Sequence, residues 1–207
     1  LHTRFDRLFQ GDFQTGTRPD EVNWQEGESD PELTRQICNA WKSDRCVAAT
    51  VLREDLGHAL AQLGSWPGTR IVQDNVISKP PGGGALGYHQ DNSHLAWYTP
   101  RELLSCWLVL DVTSSANVTL AFVKGPYRWQ RQLQPQGEFH NPADYQIEME
   151  TAAQQEGQTP EVIHVEVPRG GGSFHHGWMW HGSGANRSLD WRRSLVLHGM
   201  RSDTQFV

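Results

Sequence analysis

The chain changes its hydrophobic period near residue 70. Before that point, apolar residues recur three or four apart or show no period. After it, they alternate or run together in short β-branched stretches, as strands do. Residues 1 to 30 are polar and broken by Gly11, Gly16, Pro19 and Gly27, which predicts loop with one short helix. Asp30-Pro31-Glu32 reads as a helix start, with an N-cap acid, Pro at the first helical position and an acid near the positive end of the dipole. Ile37 and Trp41 then fall four apart, as neighbours on a helix face do. A second helix is expected from Asp44 to Leu63, where Leu52, Leu56, Leu60 and Leu63 form one apolar stripe. Gly64 ends it and Trp66-Pro67-Gly68 makes a turn.

The remainder reads as strands. Ile71 to Lys79 places Ile71, Gln73, Asn75 and Ile77 on one face, and Pro80 to Gly84 is a sharp loop that delivers the chain to His89. Leu104 to Val112 is an apolar, buried strand. Thr113 to Asn117 is a turn and Val118 to Val123 the next strand. Residues 130 to 160 are polar and read as a surface insertion with a short helix between Pro142 and Gln155. Glu161 to Val167 alternates cleanly. Ser173 to His181 and Arg192 to Met200 close the pattern around a Gly/Asn loop. Helices followed by seven or eight short strands imply an α+β, mostly β fold: a double-stranded β-helix (jelly roll, cupin-like) with the N-terminal helices packed outside. One domain over 1–207 is expected, with 1–69 as support and 70–200 as the core. A small-molecule site belongs in the cavity such a fold encloses.

Composition narrows the partners. A net charge of −6 gives no electrostatic reason to expect nucleic acid or an anionic membrane. No apolar run approaches the roughly 20 residues of a membrane span. Cys38, Cys46 and Cys106 are odd in number and follow no zinc spacing, so reduced thiols in a cytoplasm are expected. No signal peptide is visible, and the chain opens on Leu1 rather than Met, from which a missing N-terminal piece is expected. Oligomeric state is not legible.

Candidate chemistry starts at Gly87-Tyr88-His89-Gln90-Asp91. Two apart on a strand, His89 and Asp91 leave the same face. A second His would complete a 2-His-1-carboxylate triad, which holds Fe(II) on one side and leaves positions open for reactants. His181, at the head of His-Gly-Ser-Gly-Ala-Asn-Arg-Ser, is the candidate; His175 and His176 compete with it, and parity puts His175 on its face. Arg192, eleven residues on, offers a planar fork for a carboxylate in the same cavity, and Arg193 then points outward. Packing of His181 among Trp and His, and a solvated Arg192-Arg193 pair, are the plainer readings of the same residues.

The order and spacing of these parts from about Arg70 to Met200 resemble the phytanoyl-CoA dioxygenase-like family of Fe(II)/2-oxoglutarate oxygenases. The family's His-x-Asp is similar to His89-Gln90-Asp91, its distal His-Gly-Ser with a following Asn to His181-Gly182-Ser183 and Asn186, and its co-substrate Arg to Arg192. The resemblance implies Fe(II) on His89, Asp91 and His181. It implies 2-oxoglutarate on Arg192 and Ser183, with Trp107 and Asn75 also lining that subsite. Lys124-Gly125-Pro126-Tyr127 departs from the family's Pro-Gly-Ser-His, which touches local shape and substrate fit. Because Asp91 is a carboxylate, the resemblance implies hydroxylation of a small molecule rather than halogenation, with O2 consumed and succinate and CO2 released. Gln73, Tyr88, Asn92, His94 and Trp97 are candidates for the substrate wall. A non-catalytic binding protein, a zinc hydrolase using the same triad, and a purely structural protein are the competing readings.

Overall fold

The computed structural model describes residues 1–94, 97–113, 119–125, 129, 140 and 142–207. In chain order these form α1 (His2–Phe9), β1 (Glu21–Val22), β2 (Arg35–Cys38), α2 (Arg45–Val51), α3 (Glu54–Gly64), β3 (Thr69–Lys79), β4 (Leu86–His89), β5 (Tyr98–Thr99), β6 (Leu103–Val109), β7 (Ala121–Lys124), α4 (Ile147–Gln155), β8 (Glu161–His164), β9 (Gly172–His176), β10 (His181–Ser183), β11 (Arg192–Arg201) and β12 (Gln205–Phe206). Among the described residues, one antiparallel sheet runs β1-β2-β3-β11-β6-β9 and a smaller one β4-β10-β7-β8, with β5 and β12 paired apart. This is the expected mostly β jelly roll with helices outside.

Period-two alternation sorts the larger sheet into two faces. On β6 and β11, Leu104, Cys106, Leu195 and Leu197 pack on Phe5 and Leu8 of α1, Val47 and Val51 of α2 and Leu60 of α3. The alternate residues Trp107, Val109 and Val196 face inward, against Leu120 and Phe122. Arg192 and His198 share that inner face, and both line the cavity between the sheets. The smaller sheet is covered on its outside by α4, whose Met149, Ala152 and Ala153 pack on Tyr88, Ala121 and Val123. Each strand thus carries one dry outer stripe and one inner stripe, and the inner stripes hold the polar chemistry.

Three expectations need correction. The Asp30 to Trp41 helix is a turn followed by β2. Asp30 Oδ1 accepts from the Glu32 amide at 2.8 Å, which closes a local turn from the same residues that would cap a helix. Ile37 is then fully buried between β1 and β3. The Asp44 to Leu63 helix is two helices, broken at Leu52-Arg53, where Arg53 is extended (ψ 130). The four-leucine stripe therefore does not persist: Leu60 is buried and Leu56 packs on the core, while Leu52 and Leu63 stand exposed. The Ser173 to His181 strand is also two, since the chain turns at Gly177–Trp180 and β10 joins the other sheet.

On β3 the face expected for Gln73, Asn75 and Ile77 is the cavity face. Ile71 leaves it, because a bulge opposite His198/Gly199 inserts Val72 and reverses the parity. Ile71 packs instead against the helix-covered core. The start of the expected strand at Val118, most of the turn before it, the Pro126-Tyr127 departure and residues 130–139 of the insertion lie outside the described residues.

Candidate metal centre and its anion pocket

β4 carries His89 to the edge of the smaller sheet, where it pairs with His181 on β10. The close approach is possible because position 182 is Gly: a Cβ there would meet Tyr88 Cα at 3.1 Å. The chain then enters a short 3-10 turn, Asp91–His94, which swings Asp91 under the two imidazoles. One donor atom from each of His89, Asp91 and His181 lies within 4.8 Å of the others.

Hydrogen bonds fix the state of both imidazoles. His89 Nδ1–H donates to the Gly87 carbonyl and His181 Nδ1–H to the Met179 carbonyl, each at 2.9 Å. In the neutral rings Nε2 then carries the lone pair, and both Nε2 atoms lie 3.4 Å from Asp91 Oδ1. In that state three lone-pair donors converge, an arrangement suited to a cation between them. The electrostatics agree. Burial first, and then the neighbouring His89, hold the His181 imidazole well below its ordinary range, in the neutral, ligating form.

The carboxylate's other oxygen is tied to the larger sheet. Asp91 Oδ2 accepts from Ser105 Oγ at 2.6 Å and lies 3.3 Å from His175 Nε2. His175 shares the cavity with His181, their ring centroids 4.5 Å apart, and neither of its ring nitrogens has a hydrogen-bond partner among the described residues.

At the deep end of the same cavity, Arg192 is 1% exposed. Its Nε and Nη1 have no hydrogen-bond partner among the described residues, and its Cζ sits 5.9 Å from the Trp107 ring centroid. Burial pushes this guanidinium down to about 10, so it remains a cation at neutral pH. Ser183 lines the pocket beside it and receives a hydrogen bond from Lys79 Nζ at 2.9 Å. Burial first, and then Arg192, push the Lys79 ammonium well down. Asn186 braces the loop that delivers Arg192, donating to the carbonyls of Pro80 at 2.9 Å and Asp190 at 2.7 Å. Arg193 points outward to Asp111.

The structure thus brings His89, Asp91, His181, Ser183, Arg192, Trp107 and Asn75 to one cavity of about 330 Å³, with Gln73 and His94 on its wall. It does not bring Tyr88, Asn92 or Trp97 there. Tyr88 neighbours His89 on a strand and so points to the opposite face, stacked on Tyr145 at 5.9 Å. Asn92 is buried beneath the 3-10 turn, accepting from Tyr98 and donating to the Arg101 carbonyl. Trp97 stacks on Phe206 at the surface. Sequence reading missed Ser105, His198 and Lys79, all of which parity could have found. Ser105 is two from Trp107, His198 six from Arg192, and Lys79 four from Asn75, each on the inner face of its strand.

A "Probable phytanoyl-CoA dioxygenase" of Caenorhabditis elegans is 28% identical over 143 residues, 62% of this chain, and the chain spans only 41% of that relative's length. The crystal structure of the non-heme alpha ketoglutarate dependent carbocyclase SnoK from nogalamycin biosynthesis matches with a TM-score of 0.72 at 18% identity, covering 99% of this chain and 75% of that one. The epimerase SnoN, solved in complex with Fe3+, alpha ketoglutarate and nogalamycin RO, matches with a TM-score of 0.70 at 16% identity, covering 99% and 74%. At that identity these structures speak for the fold. Residues 2–194 match the family model Phytanoyl-CoA dioxygenase (PhyH), and the chain belongs to that family.

Proposed function

We propose that the protein is an Fe(II)- and 2-oxoglutarate-dependent oxygenase that hydroxylates a small molecule, with residues 1–207 acting as one oxygenase domain. The observation that carries this reading is the pairing of two features in one cavity: a His, His, carboxylate triad and a buried guanidinium with two unpartnered donors. His89 Nε2, Asp91 Oδ1 and His181 Nε2 would hold the iron. Three protein donors leave positions free for a bidentate co-substrate and dioxygen. Bound iron would activate dioxygen, with 2-oxoglutarate as the two-electron co-reductant that leaves as succinate and CO2. Arg192 takes the far carboxylate in a forked, charge-assisted contact, Ser183 adds a hydroxyl, and Trp107 and Asn75 line the same subsite. A zinc-bound water would use the same triad but would leave Arg192 buried without an anion.

Gln73, His94 and His140, which also line the cavity, would face the substrate. Among the described residues no helix is long and apolar enough to cross a membrane. All three cysteines are free, in keeping with our placement of the protein in the cytoplasm. The test is succinate release from Fe(II)-loaded protein and 2-oxoglutarate, screened across small molecules, with product mass read for one added oxygen. Substrate-stimulated succinate without oxygen insertion would replace hydroxylation by another oxidative outcome. No succinate with any metal would reject the oxygenase reading.

A further inference from the structure

The two oxygens of Asp91 live in different surroundings. Oδ1 faces the Nε2 atoms of His89 and His181. Oδ2 faces away, into a chain of polar side chains that crosses the larger sheet. Counting donors fixes the direction of every bond in that chain. Ser105 has one hydroxyl proton, and it goes to Asp91 Oδ2 at 2.6 Å. Ser105 Oγ must then accept from His198 Nδ1–H, at 2.8 Å. Asn75 has its oxygen occupied by Gln36 Nε2 at 3.1 Å and the Cys38 thiol at 3.0 Å. It therefore presents its amide nitrogen to His198 Nε2 at 3.0 Å, and that ring nitrogen must accept. His198 is thereby held as a single neutral tautomer with Nδ1 protonated. Asn75, Ser105 and His198 are all buried.

This arrangement bears on how many coordination positions the carboxylate takes. A carboxylate free to rotate can bind a metal through both oxygens and so occupy a position that a reactant needs. One whose second oxygen is engaged by a short hydrogen bond binds through the first alone. We propose that Ser105 and His198, oriented by Asn75, are positioning residues that confine Asp91 to one-oxygen coordination and so keep a site open on the metal. The inference rests on the iron reading given above. None of the three residues touches the metal itself; they act through Asp91. The chain also joins Asn75, on the co-substrate subsite, and Gln36, on the cavity wall, to the metal carboxylate.

The test uses Co(II) and metal-free protein, with no 2-oxoglutarate or substrate, so that metal geometry is read apart from turnover. Ser105→Ala deletes one hydroxyl. It should weaken Co(II) binding by about 10- to 100-fold, the usual cost of losing a group that orients a metal ligand, and should alter the Co(II) visible spectrum. The melting temperature of the metal-free protein should change little, which separates positioning from general destabilisation. Ser105→Thr keeps the hydroxyl and should restore the parent affinity and spectrum. Asn75→Ala releases the far end of the chain and should shift the spectrum in the same direction as Ser105→Ala. Co(II) affinity within threefold of the parent together with an identical spectrum in Ser105→Ala would overturn the positioning role while leaving the iron reading intact. Parent protein whose Co(II) binding is indifferent to His181→Ala would overturn the iron reading and this inference with it.

Discussion

Replacing Arg192 with methionine separates the co-substrate role of this residue from any structural one. The guanidinium is fully buried, and Nε and Nη1 have no partner among the described residues. In the ligand-free protein the charge therefore costs stability, since a buried polar group without a partner costs about 1–3 kcal/mol, and more when charged. Methionine fills much of the same volume against Trp107 without that penalty. Metal-free Arg192→Met should thus melt at the parent's temperature or above it. Co-substrate binding should move the other way. Two hydrogen bonds to a charged group at about 1.5–3 kcal/mol each sum to about 3–6 kcal/mol, roughly a 10²- to 10⁴-fold loss of 2-oxoglutarate affinity. Anaerobic titration of the Fe(II)-loaded protein, followed by calorimetry or the visible band of the ternary complex, measures it directly. Iron affinity should be unchanged. A 2-oxoglutarate affinity within threefold of the parent would refute the assignment. A large fall in melting temperature would refute the claim that the guanidinium is waiting for an anion.

Further predictions concern the frame. Asp44 caps α2, accepting from Cys46 N at 2.8 Å and Val47 N at 3.0 Å, and its other oxygen accepts from Arg4 Nε at 2.5 Å, so Asp44→Ala should cost more in denaturant unfolding than the about 1 kcal/mol of a cap alone, and Asp44→Ser should recover only the cap's share. Burial pushes the Asp74 carboxyl up to about 7, so the stability this residue allows is present in acid and lost as pH rises through about 7. Asp74→Asn, which keeps an acceptor for the Trp41 amide, should therefore match the parent only near pH 3.8, gain on it by about 1.36 kcal/mol per pH unit up to about pH 7, and hold a constant advantage above that. His140, His176, His181 and His198 are each lowered from an ordinary value of 6.5, chiefly by burial. The unfolded chain then binds protons that the folded one refuses, and metal-free protein should lose stability as pH falls below 6.5, with metal release in the same window. A flat melting temperature from pH 7.5 to 5 would contradict this.

How far the fold was legible depends on whether a pattern was settled locally or by distant packing. The alternation from Gln73 to Ile77 on β3 and the opposed faces of Arg192 and Arg193 on β11 survived because one face of each strand meets helices and the other meets the cavity, which puts Asn75 and Arg192 on the cavity wall. Even His175 landed on the face of His181, although the strand joining them is broken and the two lie in different sheets. Ile37 and Trp41 misled because a four-residue spacing is shared by helices and by any chain with a turn between. Here pairing with β1 and β3 decided, and the Asp30 side chain served a turn instead of a cap. Asn92 and Trp97 were judged by nearness in sequence to the metal strand, which a 3-10 turn immediately after His89 makes a poor guide. Asp91 shows the reverse: it lies past the end of β4, yet the turn still brings it beneath His89 and His181. The tether on its second oxygen was hidden because Ser105, His198 and Asn75 come from three strands, and nothing local marks them as one network.

The most direct measurement is iron-edge anomalous diffraction from crystals of Fe(II)-loaded protein. The account predicts one strong peak bonded to His89 Nε2, Asp91 Oδ1 and His181 Nε2, with Asp91 Oδ2 still on Ser105. A peak that omits any of these three side chains, or lies outside the cavity that holds Arg192, would contradict it.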